Sequence, residues 1–327
     1  MSEDILNAKE LYERTSEAIV TILSKEGNYT STSTGFIIKH TQKNEGLYIA
    51  TVAHAVFTGL GNRDKHVDDI YAVIYNYNNT GINEFKKCKV IGLAGYADFA
   101  ILSVDNLEID KNKYVEWSDN KTYAGDKCYV IGNPVGIEIS AIVEGIVRNP
   151  SFTYRNNIEI MSFTAPTLKG NSGSPVFNDC GKVSSIVSNG MPGGDNFNYG
   201  AKSNLLRFLS NYIINNKTDF VGGTINRDLF PVDISYMYHM KPSFNGVKGY
   251  CVGTDLEDQT FNHFDVILSI DGKTIGAHSN YKKPTSIYLS PGKTIKLEHY
   301  CHKNKTIKTI DFTINKLTKD EDIYRHH

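Results

Sequence analysis

From residue 18 onward the hydrophobic positions fall in short runs rich in Val, Ile, Phe and Tyr, divided by Gly, Asn, Ser and Thr. Ala18-Ile19-Val20-Thr21-Ile22-Leu23, Gly35-Phe36-Ile37-Ile38 and Leu47-Tyr48-Ile49-Ala50-Thr51-Val52 are the first three. Further runs lie at 70–77, 86–93, 99–104, 128–131, 139–147, 158–163, 175–177 and 183–187. β-branched and aromatic residues in runs of this length, bounded by turn formers, predict strands. About two hundred residues of such strands, with almost no helical periodicity, predict a mostly β architecture built as a pair of packed barrels.

Two stretches break the pattern. Ile5, Leu6, Leu11 and Tyr12 recur at helical spacing among charged neighbours, which predicts a helical arm over 1–17. Leu205, Leu206, Phe208, Leu209, Ile213 and Ile214 predict one amphipathic helix closing the strand-rich region at 214. Asn215-Asn216-Lys217-Thr218-Asp219 then reads as a polar linker. A smaller β-rich unit is expected over 220–317, with strands near 249–254, 265–270, 294–300 and 308–314, followed by a charged tail over 318–327.

The chain has 327 residues and a formal charge of -1, a balance that argues against a nucleic-acid or membrane surface as the main partner. Its five cysteines form no Cys-x-x-Cys pair, which disfavours a disulfide framework and a zinc site. Residues 1–10 begin acidic and lack a basic-then-apolar leader. An intracellular setting is therefore expected: cytoplasm or, if the source is viral, host cell or virion. Neither a cofactor nor a metal is called for.

Candidate chemistry centres on Gly170-Asn171-Ser172-Gly173-Ser174-Pro175. A serine flanked by glycines at a tight turn before a buried strand suits an exposed nucleophilic hydroxyl; a plain Gly/Ser hairpin loop is the structural alternative. A serine nucleophile needs a base, and among ten histidines only His54 follows a strand amid small apolar residues. His40, His66, His239, His263, His278, His299 and His302 read as loop, surface or strand edge. Asp98, at the start of the apolar run Phe99-Ala100-Ile101-Leu102, is a carboxylate that requires a partner. The chain order His, Asp, Ser is that of the chymotrypsin class.

These segments, together with Ser33-Thr34-Gly35-Phe36, Ile131-Gly132-Asn133-Pro134-Val135-Gly136, Gly145-Ile146-Val147 and Tyr199-Gly200-Ala201-Lys202-Ser203-Asn204-Leu205, resemble the HtrA/Deg serine proteases. That family joins a chymotrypsin-fold protease domain to a PDZ domain. The resemblance implies Ser172 as nucleophile, His54 as general base and then acid, Asp98 as orienting carboxylate, and the backbone N–H groups of Gly170 and Ser172 as the oxyanion hole. It implies acyl-enzyme hydrolysis of unfolded or flexible protein segments, and a homotrimer. Pro166, Thr167, Leu168, Ile186 and Ser188 are expected to line a small, uncharged pocket selecting small or aliphatic side chains before the cut. In the smaller unit, Phe220, Val221, Gly222 and Gly223 stand where a PDZ carboxylate-binding loop would begin, though Gly223 replaces the usual apolar residue. Short segments at 257–263 and 278–289 stand where that domain's helices are expected. The rival reading is a catalytically silent protein on a protease fold, serving as a binding or structural component.

Overall fold

Asn7 starts the first helix by reciprocal capping: its side chain accepts the N–H of Lys9 and of Glu10, and the Glu10 carboxylate accepts the Asn7 N–H. The helix, α1 (Ala8–Thr15), buries Leu11. Ahead of it, Leu6 is buried and its N–H donates to the Asp179 carbonyl at 2.7 Å, so the arm is docked and not free. The computed structural model describes residues 4–56, 67, 69–75, 84–105, 113–136, 138–154, 158–190 and 197–218. In the C-terminal part it describes 223–224, 229–232, 249–252, 265–274, 292–301 and 303–316.

Six strands follow the arm: β1 (Ile19–Glu26), β2 (Tyr29–His40), β3 (Gly46–Thr51), β4 (Asp69–Ile74), β5 (Glu84–Ala94) and β6 (Phe99–Val104). They close into a barrel in the order β1-β2-β3-β6-β5-β4. Closure leaves no unpaired edge, and Ile22, Phe36, Ile37, Ile49, Phe99, Ile101 and Leu102 fill the interior. The next seven strands are β7 (Lys127–Gly132), β8 (Ala141–Tyr154), β9 (Ile158–Phe163), β10 (Pro175–Phe177), β11 (Val183–Ile186), β12 (Asn189–Gly190) and β13 (Asn198–Ala201). They form one sheet in the order β11-β10-β7-β8-β9-β13-β12. Of the two barrels expected, the first closes through a continuous ladder among the described residues. The second is a sheet rolled back on itself, where among the described residues a bridge joins Ser185 of β11 to Lys202 beyond β13. Its core contains Val130, Val147, Met161, Phe163, Val176 and Val187.

The segment between the two halves pairs with both. Val115 bridges to Ile38 and Trp117 to Val183, and the Trp117 ring meets Phe36 and Phe99 edge-on at 5.5 and 6.2 Å. The closing helix, α2 (Ser203–Asn216), buries Leu205, Leu206, Leu209, Ile213 and Ile214. It extends two residues into the predicted linker because Asn215 has a partner: its Oδ1 lies 2.9 Å from Nε2 of His40. His40 is accordingly buried and not a surface residue.

The chain divides into two compact units, one comprising Met1–Pro150 and Glu159–Phe220, the other Val221–Lys319 as its main part. In the second, β14 (Gly223–Thr224) pairs with β21 (Asn315–Lys316). The others are β15 (Leu229–Val232), β16 (Gly249–Val252), β17 (Val266–Ile270), β18 (Lys273–Thr274), β19 (Thr294–Cys301) and β20 (Thr306–Thr313). They form a sheet in the order β15-β16-β17-β19-β20, with β18 paired to β17. His299, expected at a strand edge, is buried instead, its Nδ1 3.9 Å from the carboxylate of the fully buried Asp265.

Candidate active site

Strand register brings the first two candidate residues together. In the antiparallel pair β3–β6, Thr51 stands opposite Ala100. The chain leaving β3 therefore reaches His54 at the same barrel rim from which the chain enters β6 after Asp98. His54 sits in a single 3-10 turn, Ala53–Ala55. Asp98 follows a second one, Gly95–Ala97, and adopts a left-handed backbone at φ 49°, a region that aspartate tolerates better than most residues. One Asp98 oxygen accepts the His54 backbone N–H at 3.0 Å, and the other accepts His54 Nδ1–H at 2.8 Å. A neutral imidazole held in this way carries its proton on Nδ1 and presents Nε2 as an acceptor.

Asp98 has a third donor from the other half of the domain. Ser188 Oγ donates to the same carboxylate oxygen as His54 Nδ1, at 2.5 Å. Burial alone would raise the Asp98 pKa; the His54 charge, its side-chain bond, the Ser188 hydroxyl and the His54 N–H outweigh burial and hold it at about 2. For His54, burial pushes the pKa down, while the Asp98 charge and hydrogen bond push it up, and the net direction is upward.

The serine loop is held by its own backbone. The N–H of Asn171 donates to the Leu168 carbonyl at 3.0 Å, that of Gly173 to Val187 at 2.8 Å, and that of Ser174 to Asn171 at 2.9 Å. The N–H groups of Gly170 and Ser172, between them, have no acceptor among the described residues. Gly170 has φ +97°, as the third position of a type II turn requires. Gly173 lies so close to the barrel that a Cβ there would overlap the Thr34 carbonyl oxygen. Thr34 also donates its N–H to the Ser172 carbonyl at 2.8 Å, and its carbonyl accepts Thr51 Oγ1, also at 2.8 Å. Thr34 is thus tied directly to the Ser172 loop and, through Thr51, to the strand that leads into His54. No hydrogen bond joins Ser172 Oγ to His54 Nε2 among the described residues; bonds of this kind commonly tighten only when substrate is bound. Cys88 and Cys128 do not compete as nucleophiles, since burial pushes their thiols up to about 11 and about 12.

The five residues expected to line the specificity pocket differ in their surroundings. Leu168 is 67% exposed, Ile186 is fully buried in the core, and Ser188 donates its hydroxyl to Asp98. Pro166 is exposed. Thr167 instead joins a residue that the sequence reading passed over: its Oγ1 donates to Asn198 Oδ1 at 2.8 Å, and Asn198 Nδ2 donates to the Ala165 carbonyl at 2.8 Å. A Cβ on Gly190 would meet the same Asn198 oxygen at 3.0 Å, so the buried amide stands between Thr167 and Gly190. Of the proposed carboxylate loop, Phe220, Val221 and Gly222 lie outside the described residues, as do the segments 257–263 and 278–289. Gly223 pairs with Lys316.

Residues 33–186, which include His54, Asp98 and Ser172, match the family model described as a trypsin-like peptidase domain. Among curated proteins, Protease Do-like 5, chloroplastic, of Arabidopsis thaliana is 27% identical over 213 residues, 57% of this chain and 64% of that protein. Serine protease Do-like HtrB of Bacillus subtilis is 24% identical over 285 residues, 78% of this chain and 61% of its own length. Residues 33–186 are thus similar to trypsin-like peptidase domains, and these curated relatives are described as Do-like proteases. The chain spans somewhat under two thirds of these two relatives. Solved structures share its fold: the HtrA-type protease AlgW with tripeptide, 16% identical, covers 94% of this chain and 96% of its own with a TM-score of 0.70. The serine endoprotease from Yersinia pestis, 17% identical, covers 97% and 100% with a TM-score of 0.63.

The relatives correct one expectation. Those from Pseudomonas fluorescens and Bartonella henselae are described as periplasmic and the Arabidopsis protein as chloroplastic, so the intracellular setting inferred from residues 1–10 and from the cysteine pattern does not stand.

Proposed function

We propose that this trypsin-like domain is a serine endopeptidase in which Ser172 attacks a peptide carbonyl. His54 takes the hydroxyl proton through Nε2 and returns it to the leaving amine. Asp98, kept ionised by its three donors, holds the imidazole by Nδ1 and stabilises the imidazolium. The N–H groups of Gly170 and Ser172 receive the oxyanion, and water then hydrolyses the acyl-enzyme. The observation that carries this reading is the Asp98 carboxylate at the junction of the two halves, bonded to His54 from one and to Ser188 from the other. The serine loop supports it by engaging every N–H from 171 to 174 except that of Ser172.

The substrate class is an extended or unfolded protein segment, in keeping with a neighbour of the same fold described with a tripeptide and with a decapeptide. Asn198 between Thr167 and Gly190 favours a small side chain before the cut, narrowing the small-or-aliphatic preference read from the sequence. The smaller unit is read as PDZ-like, and the assembly as a homotrimer, on the resemblance to HtrA proteases; light scattering tests the trimer. Casein cleavage, lost in Ser172→Ala, and labelling of Ser172 by a serine-directed phosphonate test the activity. A wild-type chain inert to both is a silent protease fold.

A further inference from the structure

Thr34 is fully buried in β2 and engages its N–H, its carbonyl and its hydroxyl at one junction. Besides its backbone bonds to Ser172 and Thr51, its hydroxyl donates to the Gly170 carbonyl at 2.8 Å and accepts the Asn133 N–H at 3.0 Å. Asn133, also fully buried, accepts the Ser140 N–H on its side-chain oxygen at 2.6 Å, and Ser140 has φ +50°. One hydroxyl therefore links the 133–140 loop after β7 to the turn that presents the Gly170 N–H.

The geometry of that turn decides what faces the substrate. The bond from Asn171 N–H to the Leu168 carbonyl closes a turn over residues 168–171. Lys169 has negative φ and Gly170 positive, the type II form. In the type I form the Lys169–Gly170 peptide is rotated by about half a turn, so that the Lys169 carbonyl replaces the Gly170 N–H on that side. A donor would then become an acceptor where a negative oxygen has to be received. The turn is anchored at its closing bond and at the Gly170 carbonyl, and the second anchor is Thr34.

We propose that Thr34 is a positioning residue for acyl transfer: its hydroxyl fixes the Gly170 carbonyl and so keeps the N–H groups of Gly170 and Ser172 converging on one point. This rests on the serine-endopeptidase reading above. Removing the hydroxyl leaves two buried backbone groups, the Gly170 C=O and the Asn133 N–H, without their partner, and the turn relaxes to satisfy them. Loss of one oxyanion donor costs about 10²–10³-fold in kcat, so a displaced donor should cost about 10–100-fold.

The test compares Thr34→Val, Thr34→Ala and Thr34→Ser with the wild-type chain on one peptide substrate. kcat and KM are measured together with the affinity for a peptide boronate, whose tetrahedral adduct occupies the oxyanion position. Valine and alanine should each lower kcat by about 10–100-fold with KM within about twofold, and boronate affinity should fall in parallel; serine should restore most of both. Alanine carries the test if the valine chain does not fold, since it adds no methyl against Asn133. An active wild type with valine or alanine kcat unchanged, with the loss confined to KM, or with no rescue by serine overturns the role of Thr34. A wild type inert to substrate and phosphonate overturns the endopeptidase reading, and this proposal with it.

Discussion

Ser188→Ala removes the shortest of the three bonds to Asp98 and leaves both bonds from His54 in place. A hydrogen bond to a charged group contributes about 1.5–3 kcal/mol, and at ~1.36 kcal/mol per pKa unit its loss should raise Asp98 by roughly one to two units. Starting from about 2, the carboxyl stays ionised at neutral pH, so kcat should fall by less than about tenfold. Stability should show the larger effect. The bond favours the charged carboxylate, and a carboxyl whose folded pKa is depressed contributes stability above its unfolded pKa of about 3.9 that is lost as pH falls toward the folded value. With about 2–4 °C of Tm per kcal/mol for a domain of this size, the variant should melt roughly 3–12 °C below wild type at pH 7. That gap should narrow as pH falls from about 5 toward about 2. Calorimetry or circular dichroism of both chains from pH 8 to pH 3 reads it. Equal melting at pH 7, or a gap that stays constant down to pH 3, refutes the claim that the hydroxyl acts on the charge.

Because His54 must be neutral to accept a proton and its pKa is raised, the acid limb of kcat/KM should have its midpoint above the usual 6.5. Asp98→Asn should lower kcat by about 10⁴-fold and move that limb to lower pH, as a pH–rate profile will show. On the proposed reading, Asn198→Ala should remove the buried amide between Thr167 and Gly190 and shift preference toward larger aliphatic side chains by about tenfold or more, read by a peptide panel varied before the cut. Gly173→Ala would require a left-handed alanine at φ +87° pressed against the Thr34 carbonyl; it should lose about 2–5 kcal/mol in denaturant unfolding, along with activity.

His54 and Asp98 were legible because each follows or precedes a short apolar run at a barrel rim, and chain order supplied the rest. Ser188 was recognised as close to the site but assigned to the pocket, since a sequence does not say that the chain after β11 turns its hydroxyl toward the other half. Leu168 and Ile186 show the same limit: position near the serine is visible in the sequence, but the exposure of one and the burial of the other are not. Thr34 stood inside a quoted motif, yet a threonine in a strand carries no mark of the loop its hydroxyl meets more than a hundred residues later. His40 and His299 looked polar by their neighbours and are buried because partners distant in sequence, Asn215 and Asp265, receive them. The closed first barrel followed from its regular runs. Strands as short as β10 and β12 gave the second half too little pattern to distinguish a closed ladder from a rolled sheet.

The meeting of three donors on Asp98 also bears on how the protein is made. A ribosome releases the N-terminal strands first. The barrel is complete at residue 104, so the nascent chain can join His54 to Asp98 while Ser172 and Ser188 are still to be synthesised. At that stage the imidazole has no hydroxyl to activate, and the carboxylate lacks its third donor. On the proposed endopeptidase reading, the catalytic set is therefore complete only after the second sheet has docked on the first barrel, late in the order in which the residues emerge.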